Sequence, residues 1–101
     1  MVVKPGLRLR SAVCGTEVIV VRAAGEDLDL RCGGQPMLPF DAAMPVPVPS
    51  IAEGDDEGTL IGKRYGDEGL EILCTRPGQG TISVGDKPLP VLAARQLPSS
   101  D

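Results

Sequence analysis

Apolar and polar positions alternate from Leu7 to Arg10, with Leu7 and Leu9 on one side and Arg8 and Arg10 on the other. That period of two predicts a half-buried strand across "LRLRSAVC". "TEVIVVRA" is β-branched and nearly continuous, as in a strand covered on both faces or lying on a tight dimer seam. "AGED" supplies a turn, and "LDLRC" alternates again with Leu28 and Leu30 inward, which completes a β-hairpin. "GGQPM" ends it with a glycine pair free to take positive φ. "TLIGKRY", "LEILCTR" and "GTISVG" predict three further strands, with "PGQG" turning between the last two; "KPLPVL" and a polar "QLPSSD" tail follow. Between the halves, "MPVPVPS" lacks amide donors at alternate positions and predicts an extended edge or polyproline II segment. The acidic "EGDDEG" reads as a solvated turn, because the alternating ligands and closing glutamate of a calcium loop are missing.

These elements predict an all-β domain: a small two-layer sheet or partial barrel of about six to eight short strands, with little or no helix. Thirteen glycines and ten prolines leave no room for a long helix. The whole chain, residues 1–101, reads as one domain. Residues 1–40 form a first hairpin unit, 41–58 a Pro-rich and acidic connector, 59–98 a second hairpin unit, and 99–101 a tail. The two units are faintly alike. Laying "EVIVVRAAGEDLDLRCGGQPM" over "EILCTRPGQGTISVGDKPL" matches Glu17 with Glu71, Arg22 with Arg76, Gly25 with Gly78 and Pro36-Met37 with Pro88-Leu89. Generic hairpins share much of this pattern, so the sequence leaves an accidental match open. On this alignment Cys74 stands at Val20, inside a strand.

Composition narrows the function. A net charge of −4 with no concentrated basic patch argues against nucleic-acid binding. No apolar run approaches the roughly 20 residues of a membrane span, and "MVVKPGLRLR" lacks the apolar centre of a signal peptide, which predicts a cytoplasmic address. With no histidine there is no Ser-His or Cys-His dyad, and Asp55, Asp56 and Glu57 sit in a turn unsuited to a rigid acid–base pair. Gly62-Lys63-Arg64 imitates the end of a phosphate loop, but the leading glycine is misplaced and Arg64 replaces the required hydroxyl. No residue set identifies a reaction, and no cofactor is called for by these residues alone.

The cysteines carry the remaining chemistry. Three in a reducing compartment argue for thiols or metal ligands over a disulfide framework. "SAVCG", "VIVV", "AGEDLDL" and "RCGGQPM" follow one another between Ser11 and Met37. This stretch resembles desulforedoxin and the related N-terminal domain of desulfoferrodoxin, which read Cys-x-x-Cys-Gly, a Val-rich strand, a Gly turn, then Leu-x-Cys-Cys-Gly and a Met. The resemblance implies that Cys14 and Cys32 keep two of four thiolate positions around one iron or zinc. Ser11 and Gly33 stand at the other two, and a hydroxyl and a bare backbone are poor substitutes. Missing ligands would have to come from Cys74, from Asp27 or Asp29, or from a second subunit.

Three readings follow. The first is a non-catalytic accessory or binding subunit that has shed its metal and packs against itself or a larger partner enzyme. The family's habit of forming homodimers implies a seam at Val18, Ile19, Val20 and Val21, and the Met44–Pro49 strip, with Val46 and Val48, offers a second contact surface. The second is a metal-binding or electron-transfer protein with its site completed at a subunit interface. The third is a thiol redox module using Cys14 and Cys32. In the family geometry, metal–sulfur bonds of ~2.3 Å leave the sulfurs roughly 3.8 Å apart, so little movement would join them. Burial of Cys14, Cys32 and Cys74 as small apolar side chains is the alternative to all chemistry at these positions.

Overall fold

The structure, a computed structural model, describes residues 1–67 and 69–92. It is all-β, with no helix among those residues. Nine short strands occur in chain order: β1 (Arg8–Arg10), β2 (Glu17–Arg22), β3 (Leu30–Cys32), β4 (Gln35–Pro36), β5 (Leu38–Pro39), β6 (Arg64–Gly66), β7 (Glu71–Arg76), β8 (Ile82–Val84) and β9 (Lys87–Pro88). They form a five-stranded sheet ordered β5-β1-β2-β7-β6 and a four-stranded sheet ordered β4-β3-β8-β9, antiparallel throughout. Two expected strands are shorter than their alternation suggests. The first stops at Arg10 because Ser11–Gly15 bends sharply, and "TLIGKRY" pairs fully only from Arg64 because Gly62, at φ +78°, sits in a turn. The Met44–Pro49 segment joins no sheet. The "QLPSSD" tail and the end of the second unit lie outside the described residues.

The faint repeat is a structural one. In the first sheet, Val18 pairs with Cys74, Ile19 with Leu73 and Val20 with Ile72. In the second, Leu30 pairs with Val84, Arg31 with Ser83 and Cys32 with Ile82. Since Val18 corresponds to Ile72 and Leu30 to Ile82, each residue faces the counterpart of its neighbour, as an approximate two-fold axis between Ile19/Leu73 and Arg31/Ser83 requires. The charged ends obey it too: Glu17 lies opposite Arg76 and Arg22 opposite Glu71. Hydrogen bonds repeat likewise, Gly6 N to Val20 O matching Gly62 N to Cys74 O, and Met37 N to Leu30 O matching Leu89 N to Ile82 O. One detail of the sequence alignment changes. Val3 N bonds Glu26 O at 3.0 Å as Thr59 N bonds Gly78 O at 2.9 Å, so the counterpart of Gly78 is Glu26 and not Gly25, the second turn being shorter.

The core lies between the sheets and is built from matched pairs: Val18 with Ile72, Val20 with Cys74, Leu30 with Ile82, Met37 with Leu89, and Leu9 with Tyr65. Aliphatic burial carries it in the near absence of aromatic residues. Tyr65 is tolerated because its hydroxyl accepts a bond from Leu60 N at 2.9 Å. Ile72 is fully buried beside the axis. Ile72→Ala should therefore cost about 2–5 kcal/mol in urea unfolding, and a loss below 1 kcal/mol would contradict this packing.

Candidate functional site

Cys14 and Cys32 arrive from different elements. Cys14 lies in the bend after β1, and Cys32 ends β3. The two sheets stack so that their sulfurs are 3.8 Å apart, neither bonded nor separated by any other group. Cys32 is fully buried and Cys14 half-buried, so Cys14 is the more accessible of the two.

The bend supplies donors to the Cys14 sulfur. Ser11 Oγ accepts the amides of Val13 at 3.1 Å and Cys14 at 3.2 Å. Its lone pairs being so engaged, its hydroxyl proton is free to point at Cys14 Sγ, 3.3 Å away, when that sulfur is a thiolate. Thr16 Oγ1 stands at the same distance on the other side. Both hydroxyls belong to buried residues. The second repeat closes the far wall with glycine. A Cβ at Gly78 would lie 2.9 Å from Cys14 Sγ and 2.6 Å from Thr16 N, and one at Gly80 would lie 2.8 Å from Cys32 Sγ. Only hydrogen fits at either position.

The surroundings separate the two thiols. Burial works to raise the pKa of Cys14, but the Ser11 and Thr16 hydroxyls, with backbone bonds at Thr16 and Gly80, stabilise its thiolate and lower the value to about 7. Burial pushes Cys32 up to about 12, helped by the negative charge of Cys14 beside it. Ser11→Ala should therefore raise the Cys14 pKa toward the ordinary thiol value. Iodoacetamide labelling at pH 7 should slow several-fold, and an unchanged pH profile would remove Ser11 from this role. Cys74 stands apart: it is buried, its thiol donates to Arg76 O at 3.1 Å, and burial raises its pKa.

The residues present do not fit a tetrahedral iron or zinc site. Among the described residues, no three His, Cys, Asp or Glu side chains are grouped to hold a metal. Asp27 pairs with the N-terminal ammonium and Asp29 with Arg31. The position of the fourth ligand is also filled. Gly33 has φ +64°, and a Cβ there would meet Val13 Cγ2 at 2.6 Å, with Ile51 at 3.5 Å. A cysteine at 33 has neither the backbone conformation nor the space, so restoring four thiolates by substitution at Ser11 and Gly33 is blocked sterically.

The residues expected at a partner seam divide. Val18 and Val20 point into this chain's own core, and both edges of β2 are occupied, by β1 and β7. Only Ile19, half-buried, and Val21, exposed, face outward. The reason is the repeat: the second unit supplies within the chain the hairpin that the resemblance implied would come from a second subunit. Met44 is half-buried, Val48 is exposed, and Val46 is 95% exposed. Sequence reasoning did not assign Thr16, Gly78 or Gly80 to the site. Thr16 sits two residues from Cys14, a visible signal, whereas "PGQG" read only as a turn because its approach to the sulfurs depends on the two-fold packing.

Compared with protein-family models, with curated proteins and with solved structures, the chain matches none.

Proposed function

We propose that this protein is a thiol–disulfide module: a desulforedoxin-like scaffold, duplicated within one chain, on which a former metal position now serves as a dithiol. The observation that carries this reading is the 3.8 Å approach of the sulfurs of one half-buried and one fully buried cysteine. The Cys14 thiolate attacks a disulfide of a partner molecule, forming a mixed disulfide and releasing one partner thiol, with the proton taken from solvent. Cys32 then attacks Cys14 Sγ, closing the Cys14–Cys32 disulfide and releasing the second partner thiol, which takes the Cys32 proton. Two electrons pass from the dithiol to the partner disulfide. Capping Cys14 removes the negative charge that helps hold Cys32 protonated, so the buried thiol becomes easier to ionise after the first step. The reverse sequence oxidises a partner dithiol.

Trapping tests the order of attack. With a low-molecular-weight disulfide, Cys32→Ser should accumulate a mixed disulfide on Cys14, whereas Cys14→Ser should remain largely unmodified. Equal adducts on both variants, or adducts at Cys74, would overturn the assignment. A second reading, a binding subunit docking through the Met44–Pro49 strip, is favoured by the full exposure of Val46 and the neighbouring exposure of Val48. Val46→Asp should then abolish any complex isolated with the protein while leaving thiol exchange intact.

A further inference from the structure

The two-fold gives the cysteine site a counterpart at the other end of the molecule. Ser11 corresponds to Asp67, Thr16 to Leu70, Cys32 to Val84 and Gly80 to Leu28, as the paired registers and matched hydrogen bonds require. Those four counterparts line one groove of about 350 Å³, together with Ala24, Glu26, Leu89 and neighbouring prolines. Its floor is aliphatic where the cysteine site has sulfur, and Glu26, Asp67 and Lys87 supply its charges. The volume and the mainly apolar lining are those of a ligand seat.

The first site shows how such a seat is filled. The run from Ile51 to Glu57 lies over its Gly33 and Thr81 side: Ala52 N donates to Gly33 O at 2.9 Å, Thr81 N donates to Asp55 O at 2.8 Å, and Ile51 packs over Gly33. The acceptor and donor residues have counterparts. Gly85 N bonds Asp29 O as Gly33 N bonds Thr81 O, so Gly85 and Asp29 present the same backbone edge beside the groove. This covering run leads into Thr59, whose counterpart is Val3, and no described residue lies over the groove as that run lies over Gly33 and Thr81. We infer that the groove seats an extended, non-acidic peptide segment of a partner protein. Its backbone pairs along Gly85 and Asp29, and an aliphatic side chain enters between Leu28, Leu70, Val84 and Leu89. The preference against acids follows from Glu26 and Asp67 at the groove and from the chain's net charge of −4. This seat is independent of the cysteine chemistry.

The test uses the full chain labelled with nitrogen-15 and two capped peptides. One is the covering sequence "PSIAEGDDEG", and the other replaces its four acids by Gln and Asn. The neutral peptide should shift the amides of Leu28, Asp29, Leu70, Val84 and Leu89 saturably, and the acidic one should bind more weakly by roughly tenfold at low salt. Ala24→Arg, at an exposed position on the groove, should weaken the neutral peptide by at least about tenfold without altering the rest of the spectrum. No saturable shift at millimolar peptide would overturn the inference, as would shifts confined to Gly33 and Gly34, or binding indifferent to Ala24→Arg. Concentration-dependent broadening of the same amides without peptide would assign the groove to a second copy, and that also overturns it.

Discussion

Mild oxidation of the folded protein should remove two of its three titratable thiols, and peptide mapping should find Cys14 joined to Cys32 with Cys74 still reduced. Closing the bond brings the sulfurs from 3.8 Å to about 2.05 Å, a movement of under ~2 Å that side-chain rotation and small backbone shifts can supply. Cys14 should also dominate alkylation of the reduced protein. With a pKa of about 7, roughly a tenth of it is ionised at pH 6 and nine tenths at pH 8, so its rate should rise about tenfold between them and then level. Cys32, held near 12, should show no such plateau below pH 10. Stability follows with opposite signs. Cys14 is depressed on folding, so its contribution is present above the unfolded thiol range and lost as pH falls through about 7. Cys32 is raised, so its contribution is present below the unfolded thiol range and lost as pH rises toward 12. A Cys14 profile with an ordinary midpoint near 8.5, or a disulfide that includes Cys74, would contradict the site as described.

Gly78→Ala and Gly80→Ala should each destabilise the reduced protein by roughly 1–3 kcal/mol or more, the range for forcing atoms into a filled interior. At Gly78 the added methyl meets Thr16 N at 2.6 Å, a backbone atom that no rotamer change can move. At Gly80 it meets Cys32 Sγ at 2.8 Å and Gly33 N at 2.9 Å, so it strikes the sulfur and the chain behind it. Gly80→Ala should also slow disulfide closure by displacing Cys32. Gly69→Ala is the control, since a Cβ there meets nothing within 4 Å and its φ is not positive, and its effect should stay within about 0.5 kcal/mol. Urea denaturation under reducing conditions decides the matter. If all three variants behave alike, the second repeat does not press on the thiols.

The pairing of sulfur with its hydroxyl donors was half legible. Ser11, Cys14 and Thr16 are close in the chain, and a bend brings them together without help from the rest of the fold. Cys32 is 18 residues away, and its closeness to Cys14 could be expected only through the family resemblance. The sharp difference in acidity between the two thiols depends on burial, which alternation along a strand suggests but does not apportion. The partner seam expected at Val18–Val21 shows the same limit. An apolar run with both faces greasy demands cover, but its sequence is indifferent to whether that cover comes from another chain or from residues 71–76 of its own.

What local sequence determined was the class of structure: alternation with period two wrote strands, glycine and proline wrote their ends, and the absence of histidine and of a basic patch argued against His-based dyads and nucleic-acid binding. These are short-range effects, decided by backbone sterics and by which side of a strand meets water. What only the tertiary structure decided was the arrangement of distant parts: β2 against β7, β3 against β8, Gly78 and Gly80 over the sulfurs, and an aliphatic groove where the second repeat lacks a thiol. The physical reason is that two similar hairpins, each with an uncovered apolar face, bury most by packing about a two-fold axis. That symmetry is a property of the pair, and neither hairpin contains it alone.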